Sequence, residues 1–279
     1  MRLAKFIAHS GYCSRREAER LVVAGLIRIN GFTIYDLSAQ VCDTDTVSIN
    51  GNDLTLQTTP KLWLYYKPRG VITTHSDPQG RETVFSVVHN TLNEHQFIPM
   101  DSLATPHYDR LHGSKDYQLE PEPEERTMSP QHIISVGRLD LNSEGLLLIT
   151  NNGDLARSLE LPGLPRKYLC RIDGDITSQQ IRAADQGLTI DSMIYRQIKI
   201  IKENRFDADN YNHLRNRRNT WITIILYEGK NREIRRVMSH FDLNVSRLIR
   251  TSYGNFELGN MMPNDIMEVD RMLLTPYVQ

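Results

Sequence analysis

The stretch VGRLDLNSEGLLLITNNGDLA, residues 136–156, narrows the possible folds more than any other part of the chain. Its apolar runs read as buried strand, yet Arg138 and Asp140 stand between them, separated by a single leucine. Taking a carboxylate out of water costs several kcal/mol unless a cation or hydrogen-bond donors satisfy it. A chain that keeps an acid in such a place must bring a partner to it.

A candidate partner lies on the helix expected after Gly229. Ile234, Val237, Met238 and Phe241 fall at i, i+3, i+4 and i+7 and make one apolar face. Arg232, Arg235, Arg236 and Ser239 repeat that spacing two residues earlier, on the roughly opposite face. If the second face borders a cleft, one arginine can pair with Asp140 and favour its anionic form. A structural ion pair joining a strand end to a helix satisfies the same pattern, and spacing alone does not separate the two.

The formal net charge of -1 argues on its face against a polyanionic partner. Its distribution argues the other way. Residues 1–30 hold Arg2, Lys5, Arg15, Arg16, Arg20 and Arg28 against only Glu17 and Glu19. Residues 205–250 carry ten Lys or Arg against five acids, and the balance is restored by 91–130, where eight acids face three bases. Two basic regions separated by an acidic one suit local contacts with a polyanion, although solvated charge on ordinary helix faces fits as well.

The first segment predicts two short helices packed on a few small strands. Leu3, Phe6 and Ile7 recur at helical spacing, and Ser14 followed by Glu17 is a capping-box pattern opening a second helix. Gly25 suits a left-handed cap, and Asn30-Gly31 and Asn50-Gly51 punctuate β-type runs as hairpin turns. Arg15, Arg16 and Arg20 cluster on the exposed side of the second helix while Ala18, Leu21 and Val22 face inward. Taken whole, RLAKFIAHSGYCSRREAERLVVAGLIRINGFTI resembles the small RNA-binding domain named after ribosomal protein S4. That resemblance implies RNA contact by residues 1–58, with QTTP at 57–60 as a linker to a second domain over 60–279.

In the second domain KLWLYYKPRGVITT predicts a strand, a turn and a second strand. Trp63, Tyr65 and Tyr66 suit the core, whereas Lys67 and Arg69 suit either a solvated turn or a phosphate contact. The acidic, proline-bearing stretch from about 91 to 130 lacks periodicity and reads as a loop insertion. Thereafter IISVGRLD, GLLLIT, RKYLCRI, WITIILYEG and VSRLIRTSYG predict strands, and DLARSLEL, ITSQQIRAADQG and NREIRRVMSHFDL predict helices, the second with Thr177 and Gln180 as a capping box. Without a regular βαβ beat, the expected class is α+β: a small S4-type α/β domain followed by a mainly antiparallel mixed sheet. Gly145 and Gly153 suit backbone turns, and Asn142, Ser143 and Glu144 could orient the acid before them.

The ordered segments VGRLDLNSEGLLLITNNGDLARSL, PRKYLCRI and EGKNREIRRV are similar to the signature segments of RNA pseudouridine synthases of the RsuA/RluB type. The resemblance implies Asp140 as the catalytic aspartate and Arg138 as an arginine of RNA engagement and base displacement. It implies Tyr168 as the ring that packs on the target base and a candidate for moving its carbon-bound proton. Arg235 becomes the basic partner of the aspartate, with Arg236 beside it. RNA contacts are expected from Arg15, Arg16, Arg20, Arg138, Lys167, Lys230, Arg232 and Arg236.

The implied reaction breaks the ribose bond to a base nitrogen, turns the base and rejoins the sugar to a base carbon. No group is supplied from outside, so no cofactor and no metal is expected, and His107 and His112 offer no metal spacing. Cys13, Cys42 and Cys170 lie far apart and suit small core positions rather than a disulfide framework. No apolar run approaches the length of a membrane span, and the expected setting is cytoplasmic, with a monomer acting on ribosomal RNA, free or in an assembly intermediate. Large-subunit RNA is favoured because LPRKY resembles the RluB branch of that family. The alternatives are a ribosome-associated RNA-binding protein without the reaction, or a synthase acting on small-subunit or transfer RNA.

Overall fold

The computed structural model describes residues 1–56, 59–93, 132–203 and 219–277. Helices α1 (Leu3–His9) and α2 (Arg15–Val23) pack on strands β1 (Ile27–Ile29), β2 (Phe32–Thr33), β3 (Val47–Ile49) and β4 (Asn52–Leu54), in sheet order β2-β1-β3-β4. Both predicted hairpins form. Asn30 and Gly31, at φ 51° and 83°, and Asn50 and Gly51, at 51° and 84°, place two left-handed residues in each tight turn. Ser14 caps α2 by accepting from the Glu17 amide at 3.2 Å. The Glu17 carboxylate pairs with Arg20, at 3.0 Å, one turn further along the helix.

The rest of the chain builds around β5 (Leu62–Lys67), α3 (Val84–Asn93), β6 (Ile134–Val136), β7 (Glu144–Thr150), α4 (Gly153–Glu160) and β8 (Arg166–Asp173). It continues with α5 (Ser178–Gln186), β9 (Leu188–Ile190), β10 (Met193–Tyr195), β11 (Lys199–Lys202), β12 (Asn219–Leu226) and α6 (Glu233–His240). It closes with β13 (Asn244–Tyr253), β14 (Phe256–Glu257), β15 (Ile266–Glu268) and a 3-10 helix, Arg271–Tyr277. A nine-stranded sheet runs β11-β12-β8-β13-β7-β5-β15, with β14 beside β13 and β6 beside β7. Its pairs are antiparallel except β13 with β7, which gives the mixed sheet expected.

Both faces of this sheet are covered, so β5 and β7 are apolar without alternation. Trp63, Tyr65, Leu147 and Ile149 pack on one side with Cys170, Ile224 and Val237. Leu62, Leu64, Leu146 and Leu148 pack on the other with Leu155 and Leu159 of α4. The Thr177–Gln180 capping box forms in full at the start of α5. The S4-like unit touches this body: Lys5 Nζ lies 2.9 Å from Asp154, and the His132 amide donates to Gly11 O at 2.9 Å.

Four expectations need correcting. The second strand of KLWLYYKPRGVITT does not form; Ile72 makes an isolated bridge to Thr83, because its neighbours Gly70 and Thr73 bond instead to the 139–141 loop. Residues 91–93 belong to α3, not to the acidic insertion, and the remainder of 91–130 lies outside the described residues, as do His107 and His112. Cys42 is exposed, whereas Cys170 is buried, with burial pushing its thiol up to about 12. Neither Gly145 nor Gly153 serves a turn: Gly153 is the first residue of α4, and Gly145 lies inside β7 at φ 101°, where a Cβ would stand 2.8 Å from Arg250 N and still nearer Arg250 O. Only a residue without a side chain lets β13 approach β7 at this register. Gly145→Ala should therefore lower unfolding stability by at least about 2 kcal/mol, read as a fall in the urea midpoint.

Candidate active site

The loop that carries Asp140 is held by its backbone. Leu139 O accepts from Thr73 Oγ1 at 2.9 Å, Asp140 O from the Ser143 amide at 3.0 Å, and Leu141 O from the Gly70 amide at 2.9 Å. Asn142 O accepts from Arg235 at 3.0 Å, and Ser143 O from Lys67 Nζ at 2.9 Å. Five successive carbonyls are thus engaged, and the buried Leu139 anchors the loop. The Asp140 side chain remains 35% exposed and faces a cleft of about 340 Å³.

Among the described residues, the cation within ion-pair distance of that carboxylate is Arg232, at 3.9 Å. This departs from the pairing expected of Arg235. The Arg235 guanidinium is taken up by two carbonyls, Asn142 O and Val245 O, each at 3.0 Å. It still lines the cleft and feels Asp140: burial and the nearby Arg232 lower its pKa, and the aspartate opposes them. Arg232 is free to turn towards the cleft because it precedes α6 in a left-handed conformation, φ 54°. Arg236, exposed, points instead to Met193, with 3.7 Å between guanidinium and sulfur.

Alternation along β8 buries Arg166, Tyr168 and Cys170 on one face and leaves Lys167 on the other. Tyr168, 9% exposed, therefore lines the cleft with Asp140, whereas Lys167 does not. Arg138 stands exposed at its rim. Lys230 also lines the cleft, but its ammonium is engaged by Glu228 and by Ile194 O, each at 2.6 Å. Arg15, Arg16 and Arg20 lie exposed on α2, in the S4-like unit.

Several groups at the site escape sequence reasoning. Lys67 is fully buried, not a turn residue at the surface, and burial lowers its pKa to about 8, with Asp140 and Glu144 opposing the shift. Glu233, 3% exposed, lies in the cleft wall and accepts from the Lys230 amide at 2.9 Å. Burial pushes its carboxyl up, and the neighbouring Glu228 adds to the effect. Glu144 is buried against Arg247, with contacts of 2.7 and 3.1 Å, so it acts in the framework rather than on the acid. Arg166 and Arg250 are buried, each over the ring of Tyr253, at 4.7 and 5.2 Å. The signal for Arg250 is present in VSRLIRTSYG, where a guanidinium interrupts a strand as Asp140 does in GRLD.

An aspartate set among guanidinium groups on the rim of a mixed sheet, with a small arginine-faced unit attached, defines an enzyme built for a polyanionic substrate. Comparison with known proteins makes the class specific. Residues 61–240 match the RNA pseudouridylate synthase family, and residues 1–47 match the S4 domain. An RNA pseudouridine synthase of Rickettsia conorii is 38% identical over 277 residues, 98% of each chain. Ribosomal large subunit pseudouridine synthase B of Vibrio cholerae is 30% identical over 276 residues, 96% of this chain and 71% of that one. A crystal structure of a pseudouridylate synthase shares the fold, with a TM-score of 0.57 at 18% identity over 100% of both chains. The chain belongs to the RNA pseudouridylate synthase family.

Lys67 gives a test of the loop's support. Its folded pKa lies below the unfolded value of 10.5, so its charge costs stability increasingly as pH falls from 10.5 towards 8 and by a constant amount below. The stability of Lys67→Met relative to wild type should therefore rise across that interval and then level off, as followed by urea unfolding at stepped pH. A difference independent of pH would show that Lys67 keeps its ordinary proton affinity in the folded chain.

Proposed function

We propose that the protein isomerises a specific uridine of large-subunit ribosomal RNA to pseudouridine, with Asp140 as the catalytic carboxylate. The observation that carries the reading is the backbone-clamped loop that presents Asp140 to the cleft beside Tyr168 and Arg232. The relative from Vibrio cholerae supports the choice of ribosomal subunit. Residues 1–58 serve as the RNA-docking domain and 60–279 as the catalytic one.

In the reaction the bond from ribose C1′ to base N1 breaks, and the electron pair leaves with the base. The base turns, C5 joins C1′, the proton at C5 departs and N1 gains a proton, so the product is an isomer. Asp140 acts as an anion, on either the sugar or the base. The uridine must leave its stack, and packing against Tyr168 offsets that cost by about 1–3 kcal/mol. Arg138, at the rim, occupies the place from which the base is drawn, while Arg232 and Arg235 hold the field around the carboxylate.

Asp140→Asn keeps the shape and removes the charge. It should abolish pseudouridine formation while RNA affinity stays within about threefold, under roughly 0.7 kcal/mol; turnover by the variant would remove the aspartate from the chemistry. Mapping pseudouridines in ribosomal and transfer RNA from cells with and without the gene should show one or more sites missing from the large subunit. Loss confined to the small subunit or to transfer RNA would overturn the substrate assignment, and an unchanged map would favour a binding protein. The double change Arg15→Ala, Arg16→Ala should weaken RNA binding and flatten its logarithmic salt dependence by about 0.9 for each phosphate no longer neutralised. Unchanged affinity would show that α2 faces away from the RNA.

A further inference from the structure

Arg250 is 2% exposed, and its charge has no carboxylate within ion-pair distance among the described residues. Its Nε donates to Leu146 O at 2.7 Å, and its guanidinium lies over Tyr253, but one terminal nitrogen is buried with no hydrogen-bond partner. A buried, unpaired guanidinium with an idle donor is costly, and the cost is usually tied to a function. Arg250 lines the cleft. Its place there follows from the sheet: β13 sets Arg250 opposite Tyr168 on β8, with Gly145 of β7 on its other side. Residues paired across antiparallel strands project to the same face.

We propose that Arg250 is a base-recognition residue: its guanidinium, in the cleft wall, donates to a ring carbonyl oxygen of the extruded uracil and stabilises the base when it detaches as an anion. The inference rests on the synthase reading above and extends it. Depth and partner choose the base over the backbone. Arg138 and Arg232 are exposed at the mouth, where sugar and phosphate enter, whereas Arg250 lies buried beside the ring that packs on the base. A guanidinium only donates, and uracil offers carbonyl acceptors. When C1′–N1 breaks, the electron pair spreads over N1 and the two carbonyl oxygens, so a preorganised donor gains strength as charge develops. Arg166, which donates to Tyr253 Oη at 2.8 Å, braces the ring on which Arg250 rests.

The test compares wild type with Arg250→Lys, which keeps a buried cation but not the two-pronged reach, on RNA carrying either uridine or 5-fluorouridine at the target. Fluorine at C5 stabilises the departing base anion and so lessens the need for Arg250. Single-turnover loss of the target uridine should slow about 100-fold with RNA affinity within about threefold. On the fluorinated RNA the same substitution should cost at least about tenfold less. An equal loss on both substrates would make Arg250 a packing residue and overturn the proposal, as would a rate near that of wild type. Arg250→Gln, which keeps a donor without charge, carries the same comparison should the lysine variant unfold. Wild-type protein that forms no pseudouridine would remove the synthase reading and this one together, and the wild-type time course alone identifies that case.

Discussion

Every carbonyl from Leu139 to Ser143 accepts a hydrogen bond, from donors on four separate segments: Gly70 and Thr73 after β5, Lys67 within it, Arg235 on α6, and Ser143 in the loop itself. The loop's position is therefore set by the body of the domain, and the Asp140 carboxylate is left to the cleft. This resolves the problem posed by an acid between two buried strands. The acid is not sunk in the core; its backbone is. A site built on such a scaffold needs no movement of the acid to meet its substrate, which is what electrostatic preorganisation requires.

The charge around the acid has the same character. Near-neutral composition hides a cleft in which Arg138, Arg166, Arg232, Arg235 and Arg250 outnumber the carboxylates. Several of these guanidinium groups are held by carbonyls or aromatic rings rather than by acids: Arg235 by Asn142 O and Val245 O, Arg250 by Leu146 O and Tyr253. Their positive field is thus kept in place without being neutralised. In the proposed reaction an RNA target would supply phosphate at the rim, and the detached base a transient anion at the floor.

Much of this is legible from residues alone. The Asn-Gly hairpins, the Ser14 cap, the Thr177 capping box and the two-faced α6 are local features, fixed by chemistry within a few residues. What escapes depends on contacts distant in the chain. Lys-Pro-Arg-Gly has the composition of a solvated turn, and only the packing of β5 beneath the 139–143 loop buries Lys67. Helical spacing groups Arg232, Arg235 and Arg236, but which one reaches Asp140 turns on which is captured by carbonyls of β13 and the loop. Helix α3 lacks the usual opening signal because Thr83 and Ser86 cap it reciprocally, each hydroxyl accepting from the other residue's amide at 3.2 Å, in place of a Glu or Gln. Gly145 resembles a turn glycine because the close approach of β13 leaves no mark near it in sequence.

The most direct measurement is a crystal structure of the protein bound to an RNA that carries 5-fluorouridine at the mapped target. The account predicts the target nucleotide out of its stack, its base against Tyr168 and within reach of Arg250, and the Asp140 carboxylate facing the junction of sugar and base. The 139–143 loop should lie as it does without RNA. A target base still stacked in its helix, or lodged away from Asp140, would contradict the assignment of this cleft as the place where the reaction occurs.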